Sequence, residues 1–198
     1  MSTEFGEPSE KRPASRPVLK VVLAWFVLLA LEYFWIPVFR VSWLFAWLAI
    51  MASWLWVISR STAVVMSYLS LRDYGRCVAA LLLTLGVGAV ARTADWEALY
   101  AESLIWSHQA AFAQLAVDHG NHRPLTVPGW MEYLSIDGQV RPQGDTLYLP
   151  VFEDWRAETG RGVAYIPGSD GRGTTIQTAS GDLGSATHDL GDGWWWVE

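Results

Sequence analysis

The chain has 198 residues, of which 52% are hydrophobic and 17% are charged, whereas soluble domains usually carry roughly one quarter charged residues. Residues 1–92 hold nine basic and five acidic residues, a net charge of +4, and residues 93–198 hold five and fifteen, a net charge of −10. The acidic half excludes nucleic-acid binding, because phosphate contacts need clustered Lys and Arg. The single cysteine, Cys77, excludes an intramolecular disulfide and a cysteine zinc site.

Three apolar segments fill the first half of the chain. They are residues 18–39, 41–58 and 77–91, and the third is flanked by Arg76 and Arg92, whose stems can extend to the headgroup level. A helix crosses a bilayer with about 20 apolar residues, and within lipid a helix satisfies its own backbone hydrogen bonds. We therefore predict three transmembrane helices.

The distribution of Lys and Arg predicts the orientation in a cell membrane, since cytoplasmic loops are enriched in both residues. Basic residues are frequent in the N-terminal tail and between the second and third segments. We expect a cytoplasmic, disordered tail (1–17), a transmembrane region (18–92) and an extracytoplasmic domain (93–198). A tight turn at Pro37–Arg40 would lie outside, and a loop at 59–76 would lie in the cytoplasm.

Two features inside the predicted membrane region are candidates for function. Glu32 is ionisable, which is costly in a membrane helix, although its position near Pro37 would let it reach water or pair with Arg40. The second feature is a small-residue stripe of Ala80, Thr84 and Gly88, which would let another helix approach closely. The neighbour could be a partner protein or a helix of the same chain, and packing within the chain is favoured.

The external domain is predicted to begin with one long helix over residues 94–119, capped by Thr93 or Asp95. At about 100° per residue, one face of this helix is largely apolar and carries Tyr100 and His108. These two residues are candidate ligand contacts if a pocket lies between the helix and a sheet. The alternative for His108 is a hydrogen-bonded core residue.

After Pro124 the pattern changes to short β-like runs separated by Gly and Asp turns. An antiparallel sheet of about five short strands against one long helix defines a small α+β domain. Pro150 places its strand at a sheet edge or at a bulge. The predicted strands are residues 131–136, 145–152, 162–167, 174–179 and 194–197.

No motif for a nucleophile, a phosphate loop or a dinucleotide fold is present, so no catalytic residue and no cofactor is predicted. Metal binding was weighed and is not predicted. Loop histidines and Asp-Gly turns explain these residues at least as well as a divalent-cation or calcium site. The residues considered were His119, His122, His188, Asp182, Asp189 and Asp192.

The sequence ends in three consecutive tryptophans, Trp194–Trp196. Neighbouring strand residues point to opposite faces, so Trp194 and Trp196 would share one face and Trp195 the other. Either one face contacts a partner, as tryptophans at binding sites often do, or the strand is buried on both sides. Trp194 and Trp196 are therefore candidate partner-binding residues.

These observations favour a membrane-anchored interaction or assembly module, and an enzyme is the less favoured class. Its expected partners are the lipid bilayer and either a membrane or envelope protein or further copies of the chain. The alternative is an extracytoplasmic ligand-sensing or solute-binding domain that signals through a partner membrane protein.

Overall fold

The computed structural model describes residues 15–154, 156–168 and 170–198, with side chains from residue 18 onward. The predicted tail therefore lies outside the described residues, except for its last three, which begin the first helix. The described helices are α1 (Ser15–Tyr33), α2 (Trp35–Val41), α3 (Trp43–Ser70), α4 (Tyr74–Thr93), α5 (Trp96–Ser107), α6 (Gln109–Gly120) and α7 (Gly129–Leu134). The described strands are β1 (Arg141–Gln143), β2 (Thr146–Glu153), β3 (Gly160–Tyr165), β4 (Thr175–Gln177), β5 (Leu183–Gly191) and β6 (Trp194–Val197).

Two helices, α3 and α4, are each long and apolar enough to cross a membrane, and α1 with α2 makes a third span if the bent pair counts as one. The apolar runs therefore located these helices correctly. Within the predicted loop at 59–76, the apolar residues 62–71 were expected either to extend the second helix or to lie in the membrane interface, and the first alternative is present. Helix α3 continues to Ser70, because the apolar run after Arg60 extends it, and only residues 71–73 separate it from α4.

The first predicted span is broken rather than continuous. Helix α1 stops at Tyr33, and α2 starts at Trp35 with its axis bent by 73°. Pro37 lies in the first turn of α2, where a backbone N–H has no partner within the helix, so proline is tolerated there. The tight turn predicted at Pro37–Arg40 is thus a short helix.

The chain forms two compact units. One contains residues up to Ala30 together with Ala49–Thr93, and the other contains Leu31–Leu48 together with Ala94–Glu198. In the first unit, Trp25 and Leu28 of α1 pack with Val57 of α3 and Ala91 of α4 in a small buried cluster. The segment Leu31–Leu48, here called the hairpin, comprises the end of α1, all of α2 and the start of α3.

The single long helix predicted over 94–119 is wrong, because the chain leaves helical geometry at His108 (φ −129°) and forms α5 and α6. The imidazole of His108 stacks on the Trp130 ring with centroids 4.0 Å apart. Helix α5 has its own start, where the Asp95 carboxylate accepts a hydrogen bond from the Ala98 amide at 3.0 Å. Asp95 is therefore the cap, one of the two residues considered.

The strand predicted at 131–136 is also wrong, because Gly129–Leu134 is the short helix α7. Its buried residues are Met131 and Leu134, and a spacing of three places both on one helical face. The six residues 131–136 are too few for the helical repeat of 3.6 residues to be recognised in the sequence. Pro128 adopts the extended conformation just before the helix, and its carbonyl accepts hydrogen bonds from the Met131 and Glu132 amides.

The sheet has six antiparallel strands in the order β1-β2-β3-β6-β5-β4 and is nearly closed into a barrel. Four of the predicted strands are present, and β1 and β5 were missed. The two outermost strands meet through one side chain. The Gln143 amide group donates to the Gln177 carbonyl oxygen at 2.6 Å and accepts from the Gln177 amide at 3.0 Å.

Strand β2 is an inner strand, with β1 on one side and β3 on the other. Its register with β3 shifts between Pro150 and Phe152, so the proline lies at a bulge, one of the two positions predicted for it. Pro150 itself is opposite Gly162, and Val151, next to it, is the residue left without a register partner.

Gly162 allows the closest approach of β2 and β3. A Cβ atom at this position would lie 2.3 Å from the Leu149 carbonyl oxygen and 2.7 Å from the Tyr148 ring. Because backbone cannot move aside cheaply, we expect Gly162→Ala to destabilise the domain by about 1–3 kcal/mol or more. Thermal unfolding of the purified full chain measures the loss.

Gly120→Ala is the matched control for this experiment. No atom lies within 4 Å of a Cβ at Gly120, and its φ is not positive. We expect its free energy of unfolding to stay within about 1 kcal/mol of the parent. Equal melting temperatures for the two variants would contradict the packing described for β2 and β3.

Candidate functional site

The hairpin is built into the C-terminal domain. Ile36 of α2 is 2% exposed and belongs to the main core of the domain, beside residues of α5, α6, α7 and the sheet. Phe39, three residues later, packs against Phe152 of β2 with ring centroids 5.0 Å apart. A spacing of three places both side chains on one side of α2. The apolar side of α2 therefore forms part of the domain core.

Polar contacts of Glu97 form the first polar connection between the hairpin and the rest of the domain, here called the junction. The Trp35 indole N–H donates to Glu97 Oε1 at 3.2 Å, and the Arg161 guanidinium forms an ion pair with the other carboxylate oxygen. Burial alone would lower the pKa of Arg161, but the charge and hydrogen bond of Glu97 outweigh it, and the pKa is raised. One carboxylate thus joins the hairpin, α5 and β3.

Arg40 forms the second polar connection. Its guanidinium donates to the carbonyl oxygen of Tyr133, and to that of Ser135 at 3.0 Å. These carbonyls lie at the C-terminal end of α7, where a helix leaves carbonyls without partners and favours a cation. Glu32 was expected either to reach water or to pair with Arg40, and its side chain is half-buried.

The turn after α7 is held by a buried hydroxyl. Ser135 is fully buried, and its Oγ donates to the Asp137 carboxylate at 2.9 Å. Burial acts to raise the pKa of Asp137, but the hydrogen bonds from Arg141, Ser135 and the Gln139 amide together lower it. The carboxylate therefore stays ionised well into acid and keeps the Arg40 acceptors in place.

The three tryptophans of β6 are all buried. Trp194 and Trp196 face the main core with the helices, and Trp195 belongs to a second core on the other side of the sheet. The alternation predicted for this strand is present, but both faces are covered. Trp194 and Trp196 thus contribute core packing, and their side chains offer no contact surface to a partner.

The space between α5–α6 and the sheet holds packed side chains rather than a ligand pocket. Tyr100 is 6% exposed there, and burial raises its pKa, with the nearby Tyr133 and Tyr33 acting in the same direction. His108 is half-buried on Trp130, and its Nδ1 lies 2.7 Å from Ser107 Oγ. Neither residue is among those that line the clefts described below.

The small-residue stripe is divided between two environments in the first unit. A Cβ atom at Gly88 would lie 3.4 Å from the Trp25 ring, so this glycine packs against α1. Ala80 and Thr84 line an apolar groove of about 300 Å³, with residues of α1 and α3 on its other sides. Packing within the chain thus accounts for one of the three positions.

A cleft of about 430 Å³ lies at the end of α6 in the C-terminal domain. His122 lines it with a positive φ of 55°, in the position after the helix where glycine is favoured. The Arg123 amide donates to the Asp118 carbonyl oxygen at 2.9 Å, which closes the helix end. The lining residues are Ala116, His119, Gly120, His122, Arg123, Leu125, Pro142, Gly144, Asp145, Tyr165 and Pro167.

The histidines and aspartates discussed above as possible metal ligands do not form one cluster in the described residues. Over residues 15–154, 156–168 and 170–198, no group of three His, Cys, Asp or Glu side chains could hold a metal ion. His119 and His122 share the cleft, whereas His188 lies exposed on β5. Asp182 instead accepts hydrogen bonds from the Thr178 and Ser180 hydroxyls within one turn.

Comparisons with protein-family models, curated proteins and solved structures find no match to this chain. The junction residues Ile36, Glu97 and Arg161 were not identified from the sequence, and the cleft was not either. Ile36 lay inside an apolar run assigned to lipid, and Glu97 and Arg161 are separated by 64 residues. Pro37, beside the bend between α1 and α2, was the only local signal in the sequence.

The junction makes a direct prediction about stability. Ile36→Ala leaves a cavity in the main core, and we expect it to lower the free energy of unfolding of the domain by about 2–5 kcal/mol. Val41→Ala, on the same helix but 82% exposed, should change it by less than about 0.5 kcal/mol. Thermal unfolding in mild detergent compares the two variants.

Hydrogen exchange adds a second measurement. Backbone amides of α7 and β2 should exchange faster in Ile36→Ala, because the core beside them loosens. If both variants melt and exchange like the parent, the hairpin does not belong to the domain core.

Proposed function

We propose that the chain is a membrane-anchored module that holds a C-terminal domain in a fixed position on the outer membrane surface, where the domain docks a partner protein. The single observation that carries this proposal is Ile36 in the domain core. A domain that only needed a tether would be joined by a flexible linker. Here an apolar core and two polar connections, through Glu97 and Arg40, hold the hairpin to the domain.

The proposed orientation has the N-terminus in the cytoplasm and the C-terminal domain outside. It rests on the excess of Lys and Arg in the tail and near the connection between α3 and α4, where Arg72 and Arg76 lie.

Cysteine labelling tests the orientation in a Cys77→Ala background. Glu158→Cys, at an exposed position of the C-terminal domain, should react with a membrane-impermeant maleimide on intact cells. Ser70→Cys, at the exposed end of α3, should react only after permeabilisation. The reverse pattern would overturn the orientation.

The docking surface is sought among exposed side chains, because Trp194 and Trp196 fill the core. Val117 on α6 and Leu183 on β5 are large apolar residues that are 52% and 74% exposed. Single exposed apolar side chains are common on monomers. The experiment below therefore tests directly whether a partner contacts Val117 or Leu183.

Photo-crosslinking in native membranes tests the docking proposal. A photoreactive amino acid at position 117 or 183 should give one dominant adduct with a protein, and the same amino acid at the exposed polar position Glu158 should give none. The same adduct should form when the membranes are solubilised in mild detergent before irradiation, as expected for a stable complex. Absence of adducts at both apolar positions would contradict the proposal.

A ligand-sensing domain is the second candidate function, and the cleft at the end of α6 favours it. His122 lies in a cleft of about 430 Å³ that also holds Arg123 and Asp145. A cleft of this size suits a small polar molecule.

A further inference from the structure

Helix α5 carries large apolar side chains on a face that the domain core does not cover. Ala98, Ala101 and Ile105 are buried on its inner side. Leu99 and Trp106 are 43% and 78% exposed, and a separation of seven residues places both on the opposite face. The helix is therefore apolar on more than one side, which is typical of helices in contact with a second apolar phase.

The hairpin, which carries ends of candidate spans, contacts α5. The compact unit that contains α5 also contains the hairpin, and the hairpin includes the first turns of the candidate span Trp43–Ser70. Ser103 lies on α5 between Leu99 and Trp106, and its hydroxyl is hydrogen-bonded to the Tyr33 hydroxyl at the end of α1. The exposed face thus adjoins the hairpin.

The chain path gives the same placement independently. Helix α5 begins at Trp96, three residues after the candidate span Tyr74–Thr93 ends. A helix of 12 residues is about 18 Å long. The whole of α5 therefore stays within about 18 Å, along its axis, of the point where it begins.

We propose that the face of α5 bearing Leu99 and Trp106 lies in the headgroup layer of the bilayer. Tryptophan suits this layer, because its ring is apolar and its N–H can bond to water or headgroups. Residues 93–198 carry a net charge of −10, so electrostatic attraction to anionic lipid does not supply the contact. Apolar burial supplies it, and zwitterionic lipid is sufficient.

Fluorescence depth measurement tests this placement with the full chain in phosphatidylcholine nanodiscs. In a Cys77→Ala background, Trp106→Cys carries an environment-sensitive fluorophore, and Leu183→Cys provides the exposed control on β5. We expect the probe at 106 to be quenched by headgroup spin-labelled lipid and to be several-fold less sensitive to aqueous iodide than the probe at 183. Added anionic lipid should not deepen it.

Leu99→Cys gives a second position on the same face and should behave like position 106. Both side chains are outside the core, so labelling leaves the fold intact, and an unchanged melting temperature verifies this. Equal iodide quenching at 106 and 183 would overturn the proposal. Protection of 106 in native membranes but not in nanodiscs would also overturn it, because a protein would then cover the face.

This inference does not rest on the proposed docking function. Lipid contact at 106 is measured without a partner, whereas the adducts at 117 and 183 need one. If no adduct forms at positions 117 and 183, quenching at position 106 can still show α5 in the headgroup layer. Failure of one proposal therefore leaves the other standing.

Discussion

Insertion of Ile36 into the domain core is the contact on which the rest of the architecture depends. A side chain of a helix that follows an apolar span is buried among residues of α5, α6, α7 and the sheet. The core of the domain is therefore completed by a segment about 60 residues earlier in the sequence. The bend of 73° between α1 and α2 follows from this requirement, since a straight span would carry Ile36 and Phe39 away from the domain. The polar contacts then become necessary, because Trp35 and Arg40 enter the junction with N–H groups that need acceptors.

The apolar helices were predictable because their signal is long. Runs of 15 or more apolar residues have few alternatives to a helix in lipid. Two spans were therefore located correctly, a third is present if the bent pair of α1 and α2 counts as one, and the ends differ from those predicted. The end of α3 shifted because a run of ten mainly apolar residues after Arg60 carries no stop signal. The break at Phe34 was harder to predict, because a proline can either begin a new helix in its first turn or break a continuing one. The sequence alone does not distinguish these two cases.

The strands show where local pattern fails. β5 was missed because Gly184, Ser185 and Asp189 resemble turns, yet the sheet requires a small residue at 184, where a Cβ would lie 2.8 Å from Val197. Strand pairing with β6 outweighs the low strand propensity of these residues. The candidate site was less predictable than the fold. It consists of contacts such as that between Glu97 and Arg161, which are distant in sequence and follow no motif.

The burial of Trp194, Trp195 and Trp196 limits where this domain can act. A sheet with one open face offers its partner a broad apolar surface, but β6 has a core on each side. What remains outside is a small set of separate apolar side chains, and two of them, Leu99 and Trp106, share one helix next to the hairpin. The same constraint that draws Ile36 into the core also brings α5 against the end of α1 through Ser103 and Tyr33. A domain built in this way exposes the Trp106 ring on a helix that begins three residues after a candidate span, and burial of that ring by lipid would supply the contact proposed for α5.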